Sequence, residues 1–148
     1  MRRYSFTAVV TLALCAIASP AAAHHSFAAE YDAKKPVSLS GSIAIVDFVN
    51  PHAWIYVDVK EPDGKVVRWN VEMGSPNSLI RRGFTKNSVP VGTQVVIDGY
   101  RAKDGSRTIN STTVKLPDGR RLFTGSSGTG APGDSPANPK APTPGPKY

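Results

Sequence analysis

Residues 54–73 constrain the fold more than any other stretch. Two runs, Trp54 to Lys60 and Val66 to Met73, alternate apolar and polar residues on either side of Glu61-Pro62-Asp63-Gly64. A period of two is the pattern of a strand with one buried face. Pro-Asp-Gly between two such runs marks a hairpin turn. If Lys60 closes the hairpin opposite Val66, Asp58 faces Arg68, Tyr56 faces Asn70 and Trp54 faces Glu72. On the other side Val59 meets Val67, Val57 meets Trp69 and Ile55 meets Val71. This register sorts one apolar face from one polar-aromatic face with an opposite-charge pair. A slip of one residue would destroy that sorting.

The neighbouring segments extend the pattern. Val37 to Phe48 places Val37, Leu39, Ile43 and Ile45 on one face. The phase then slips, so that Val46 and Phe48 take the opposite parity. With Gly41 in mid-run, this reads as a coiled, bulged strand that turns a barrel corner. Asn50-Pro51 is a turn. Ser75 to Gly83 reads as a short helix, with Ser75 as cap, Pro76 in its first turn, Arg81 and Arg82 in its last, and Gly83 as terminator. Gln94 to Tyr100 and Arg107 to Leu116 are two further strands around the turn Lys103-Asp104-Gly105-Ser106, and Arg121-Leu122-Phe123 is a short closing piece. The expected fold is all-β with one short helix, in the order β-β-β-α-β-β of a five-stranded OB-like barrel.

The ends of the chain do not belong to that barrel. Met1-Arg2-Arg3 is basic, Phe6 to Ala18 is apolar, and Ser19-Pro20-Ala21-Ala22-Ala23 breaks the helix and supplies small residues. The three regions read as a secretory signal peptide over residues 1–23, cleaved after Ala23. The apolar run is too short for a membrane span, which needs about 20 residues. Residues 24–36 are an N-terminal arm and residues 37–124 the barrel domain. Residues 125–148 hold six prolines and five glycines. They cannot bury enough surface to offset their ordering entropy and read as a disordered tail. The expected location is the periplasm or the exterior of a bacterium.

Removal of the signal peptide also removes Cys15, the single cysteine. The mature chain therefore has no disulfide and no thiol chemistry, and it stands on its core. Between His24 and Thr124 there are 14 Lys+Arg and 10 Asp+Glu, a net of +4. That is small beside basic nucleic-acid binders, so a nucleic-acid partner is not expected. No nucleophile elbow, P-loop, HExxH or zinc spacing occurs. The chain reads as a binding protein rather than an enzyme, with a periplasmic ligand or protein as its partner.

Two sets of residues carry candidate chemistry. Cleavage after Ala23 leaves His24-His25-Ser26-Phe27 at the new N-terminus. The amine and ring of His24 form a chelate, and His52 is the histidine in the fold that can complete three nitrogens in a plane suited to copper(II). Cleavage after Ala22 would put a histidine third, which also binds copper(II) or nickel(II). His25 and Glu72 are further candidate ligands, Glu72 because the register brings the end of the third strand beside His52. Met73 falls on the apolar face and reads as core. The second set is Trp54, Tyr56, Arg68 and Asn70, a polar-aromatic surface on strands two and three where a metal-free module could bind a ligand or a protein. Without either function, the histidines are spacer and turn residues and the outer face is merely solvated.

Five stretches together carry a resemblance: His24-His25-Ser26-Phe27, Asn50-Pro51-His52-Ala53-Trp54, Glu72 to Asn77, Gly99 to Gly105 and Leu116 to Arg120. Over residues 24–124 the chain resembles a family of short exported proteobacterial proteins known as a domain of unknown function. The resemblance implies a periplasmic location and no particular reaction. Both histidine motifs belong to its pattern.

Overall fold

The computed structural model describes residues 27–125. The expected signal peptide, His24, His25 and nearly all of the Pro/Gly tail lie outside the described residues. The elements are α1 (Phe27–Glu30), β1 (Tyr31–Asp47), β2 (Trp54–Lys60), β3 (Val66–Glu72), α2 (Pro76–Arg81), a 3-10 turn (Lys86–Ser88), β4 (Gln94–Ala102), β5 (Thr108–Lys115) and β6 (Arg121–Phe123). The strands form one sheet in the order β3-β2-β1-β4-β5-β6. A parallel pairing of β3 with β5, from Asn70↔Thr108 to Glu72↔Asn110, closes the first five strands of that order into a ring, with β6 on the edge of β5. The ring β1-β2-β3-β5-β4, with α2 between β3 and β4, is the OB-like arrangement expected from the sequence.

The β2–β3 register matches the alternation pair for pair, from Lys60↔Val66 to Trp54↔Glu72. Its inner face buries Ile55, Val57, Val59, Trp69 and Val71. On the outer face Arg68 makes two parallel bonds to Asp58, at 2.8 and 3.0 Å. These bonds to Arg68 hold the exposed Asp58 carboxyl below its ordinary range. Trp54 and Trp69 accordingly lie on opposite faces.

β1 carries the closure. Its first part pairs with β4 and its last part with β2, Ser42 contacting both partners. The phase slip is a bulge between Ile43 and Ile45. It corrects one assignment: Ile43 is buried, whereas Ile45 is 44% exposed, and Val46 and Phe48 pack against the core instead. An extra residue at Ala44 turns the following side chains over. Gly41 sits where β1 crosses β2. A Cβ there would lie 2.4 Å from the Asp58 carbonyl oxygen and 2.8 Å from Val57 Cγ1. Only glycine allows the two backbones to approach so closely.

β1 also begins earlier than the alternation indicates, at Tyr31 rather than Val37. Residues 32–35 are polar or small and show no apolar period. They are strand because tertiary contacts hold both ends: Tyr31 pairs with Ala102 and Pro36 with Tyr100. α1 is likewise an addition to the expected set, and the short closing piece expected at Arg121-Leu122-Phe123 is the strand β6. Both are too short to leave a periodic pattern.

α2 forms where its cap signals suggest, and its Leu79 joins the main core. Ser78 N donates to Ser75 Oγ at 3.4 Å, and Gly83 ends the helix with φ +81°. Leu79 and Phe84 are fully buried beside Met73, and Phe84 stacks on Phe48. The Arg82 guanidinium lies over the Phe123 ring and donates to the Gly125 carbonyl at 2.8 Å.

Gly41→Ala is expected to destabilise the domain by about 1–3 kcal/mol through backbone overpacking. That corresponds to a fall of roughly 4–8 °C in thermal midpoint per kcal/mol for a domain of this size. Val91→Ala, at an exposed position, should change stability by less than about 0.5 kcal/mol. Denaturant unfolding of both variants checks the difference.

Candidate functional site

The last residue of β3 is a buried carboxylate on the outside of the barrel wall. Glu72 shares a face with Asn70 and Arg68, opposite Val71, yet is only 4% exposed. The N-terminal segment covers it. Phe27 of α1 stacks on Tyr31 with centroids 5.7 Å apart and meets Tyr100 edge-on at 5.4 Å. With Ala102 these rings form a second small core on the outer surface, separate from the barrel interior. The Lys103 backbone N–H donates to the Glu30 carbonyl at 2.8 Å, and Lys103 Nζ donates to the Ala28 carbonyl at 2.6 Å. The arm is thus fastened to the end of β4.

A buried carboxylate costs several kcal/mol unless its oxygens are satisfied. Both are. The Tyr31 hydroxyl donates to Glu72 Oε2, and His52 Nδ1 contacts Oε1. The Glu72 carbonyl accepts from Ser111 Oγ at 3.0 Å, and Ser111 in turn meets Thr124 Oγ1 at 2.8 Å. Burial first, then the bond to Glu72 and its negative charge, push the Tyr31 phenol far above its ordinary value of 10.0. Burial alone raises Tyr100.

His52 arrives there because the β2–β3 ladder continues past its formal end. Ala53 N–H donates to the Gly74 carbonyl at 3.1 Å, and Met73 N–H to the Ala53 carbonyl at 2.8 Å. Two residues before Trp54, His52 falls on the same outer side as Trp54 and Glu72. Because a carboxylate only accepts, Nδ1 carries the hydrogen, and in the neutral ring Nε2 keeps its lone pair. Among the described residues no group hydrogen-bonds Nε2. The side chain retains 21% of its exposure.

The sequence-derived candidates divide accordingly. His52 and Glu72 are brought into contact. Among the described residues there is no cluster of three or more His, Cys, Asp or Glu side chains that could hold a metal ion; His24 and His25 lie outside them. Met73 is fully buried core. Of the polar-aromatic set, Arg68 is committed to Asp58 and Asn70 Nδ2 donates to Thr108 Oγ1 at 3.4 Å. Tyr56 is half-buried. Trp54, also half-buried, lines a cleft of about 560 Å³ with Tyr31, the end of α1 and the β4–β5 turn. Sequence reasoning missed Tyr31, Phe27 and Tyr100. The signal available was a lone pair of aromatics, Phe27 and Tyr31, within an otherwise polar and small arm.

These features define a small OB-like barrel whose outer wall carries a Tyr–Glu–His network roofed by its own N-terminal segment. The chain belongs to the family of unknown function DUF6152, whose profile matches residues 12–111. The match takes in both the histidine motif at 50–54 and the N-terminal His24-His25-Ser26-Phe27. It ends before the Leu116 to Arg120 stretch. No curated protein and no solved structure matches the chain. Among the described residues no helix is long and apolar enough to cross a membrane.

The raised Tyr31 predicts alkaline sensitivity. A folded-state value above the unfolded one means that the native state holds the proton more tightly. This contribution is fully present below about pH 10, the unfolded value, and is lost progressively as pH rises above it. Tyr31→Phe should flatten that loss, leaving the smaller share of Tyr100. Near neutral pH the same variant should be less stable by about 1–3 kcal/mol, because it leaves a Glu72 oxygen unsatisfied. Urea unfolding from pH 7 to 11 tests both signs.

Proposed function

We propose that this chain is an exported binding protein that holds copper(II) between its mature N-terminus and His52. The observation that carries the reading is the placement of His52. Its Nδ1 is held by a buried carboxylate while Nε2 has no partner among the described residues. Metal-binding histidines are typically oriented in this way, by a carboxylate on the other ring nitrogen that fixes the tautomer and raises basicity. In this reading Glu72 serves as that outer carboxylate, His52 Nε2 is one ligand, and the amine and ring of His24 are two more, with His25 as a fourth candidate. Nitrogen donors of this type suit copper(II).

The fold supports the required return of the arm. Phe27, three residues after His24, packs on the tyrosine that shares Glu72 with His52. Three residues span at most about 10 Å when extended, so the tether is short and the ligands are confined to one side of the barrel. The export signal supports the reading by supplying a free amine at His24. A second reading, a ligand module on the Trp54 side of the outer face, is favoured by the cleft beside that residue.

The test is copper(II) titration of protein whose mass confirms a start at His24, read by electron paramagnetic resonance. One copper per chain is expected near neutral pH, with nitrogen coupling. Affinity should fall in acid as protons compete for amine and imidazoles. His52→Ala should weaken binding strongly, and Glu72→Gln by about 10–100-fold. No uptake by protein with the authentic N-terminus would overturn the proposal. Full affinity in His52→Ala would reduce the site to an N-terminal chelate and overturn the part played by the barrel.

A further inference from the structure

We propose that the cleft beside Trp54 is a binding site for a neutral oligosaccharide. This ligand class rests on the second of the two readings above, the module on the Trp54 side. None of the copper nitrogens takes part, so the two sites stand or fall separately.

Three parts of the chain meet at the cleft: the end of α1, Trp54 at the start of β2, and the β4–β5 turn from Lys103 to Ser106. Tyr31 also lines it, its hydroxyl committed to Glu72. A volume of about 560 Å³ falls within the range of small-molecule sites, roughly 300–1,000 Å³. The walls are held by the chain's own bonds. Ser106 N–H donates to Asp104 Oδ1 at 2.8 Å, Arg101 Nη2 donates to the Gly105 carbonyl at 3.3 Å, and α1 is tied to Lys103 by two bonds.

Charge balance and hydrogen-bonding capacity decide the class of ligand. Glu30 is already engaged within the chain. That leaves one carboxylate, Asp104, against one ammonium, Lys103, so the walls hold no surplus of either sign. Their polar groups still have capacity to spare. Asp104 accepts from the backbone and side chain of Ser106, and a carboxylate has further lone pairs. The Lys103 ammonium gives one hydrogen to the Ala28 carbonyl and keeps the others. Thr108 Oγ1 accepts from Asn70 Nδ2 at 3.4 Å and keeps its own O–H to donate. Short donors and acceptors thus surround one half-buried indole. A purely apolar ligand would cover these groups without pairing them. A sugar ring meets both features: its hydroxyls donate and accept, and its C–H face packs on the negative face of the indole.

The place in the fold agrees. In OB barrels the outer face of strands two and three, with the loops joining strands one to two and four to five, holds oligonucleotides or oligosaccharides. Here the β4–β5 turn meets the start of β2. A nucleic acid would bring a phosphate at every step and find no unmatched cation among the lining residues.

Chitotriose, cellotriose and maltotriose are the probes, with hexathymidylate as a charged comparator. Each is titrated by calorimetry into the mature protein in the presence of EDTA. At least one trisaccharide is expected to saturate, with a dissociation constant of about 0.1–1 mM. Its affinity should change less than about twofold between about 50 and about 500 mM salt, because an uncharged ligand leaves little to screen. Trp54→Leu should weaken it about tenfold, and Trp54→Phe, which keeps a ring, about threefold or less. Three results would overturn the proposal: no saturation by any trisaccharide up to about 50 mM, tighter binding of hexathymidylate, or unchanged sugar affinity in Trp54→Leu. Hexathymidylate binding that Trp54→Leu abolishes, with no sugar bound, overturns the sugar and leaves the module reading standing. Copper(II) titration of Trp54→Leu separates the two sites: retained copper with weakened sugar binding supports a distinct saccharide cleft.

Discussion

Glu72 is a carboxylate in a position where water cannot solvate it, and much of the outer architecture follows from that. It ends β3 on the outward side of the sheet, where an ordinary glutamate would reach solvent. Two donors from distant parts of the chain meet its oxygens instead: the Tyr31 hydroxyl and the His52 ring. Removing either donor would leave a buried oxygen to be satisfied at a cost comparable to much of a small domain's net stability. The network therefore joins the N-terminal segment, the β1–β2 loop and the end of β3. It also separates two roles for one side chain pair, since a histidine held through Nδ1 presents Nε2 in a defined direction.

The barrel beneath depends on close approach. Gly41 and Gly99 both lie where a Cβ would come within 2.4 Å of a carbonyl oxygen on the next strand. Gly99 coincides with the irregularity in the β4–β5 pairing, as Gly41 stands just before the bulge of β1. Bends at these points let the five strands close, with the parallel β3–β5 contact completing the ring. Closure leaves the β2–β3 outer face and the adjoining loops as the surface on which the arm folds. Roofing by the arm turns part of a sheet face that would otherwise be open into a buried network and a cleft.

The proposed copper site shares this origin, using a histidine lone pair set by a carboxylate behind it. The large outer face anticipated from the alternation is narrower than its four residues suggest, because Arg68 is neutralised by Asp58 and Asn70 is bonded to Thr108.

Local pattern alone determined the β2–β3 hairpin and its register, because a period of two with a fixed turn admits one pairing that sorts the faces. The bulge in β1, the Ser75–Gly83 helix and the order of the elements along the chain were legible for similar reasons: each rests on residues adjacent in sequence, whereas the β1–β4 and β3–β5 pairings that close the ring join distant segments. The neighbourhood of His52 and Glu72 was legible too, because it follows from that register. Tertiary structure alone decided that Tyr31 is strand, that Ile45 turns outward, and that Tyr31, packed by Phe27 and Tyr100, meets a buried carboxylate. Those outcomes depend on partners dozens of residues away, such as Tyr31 with Glu72 and Ala102. A polar arm carries no periodic signal of which surface it will cover, since the free energy of its docking resides in the groups it meets there.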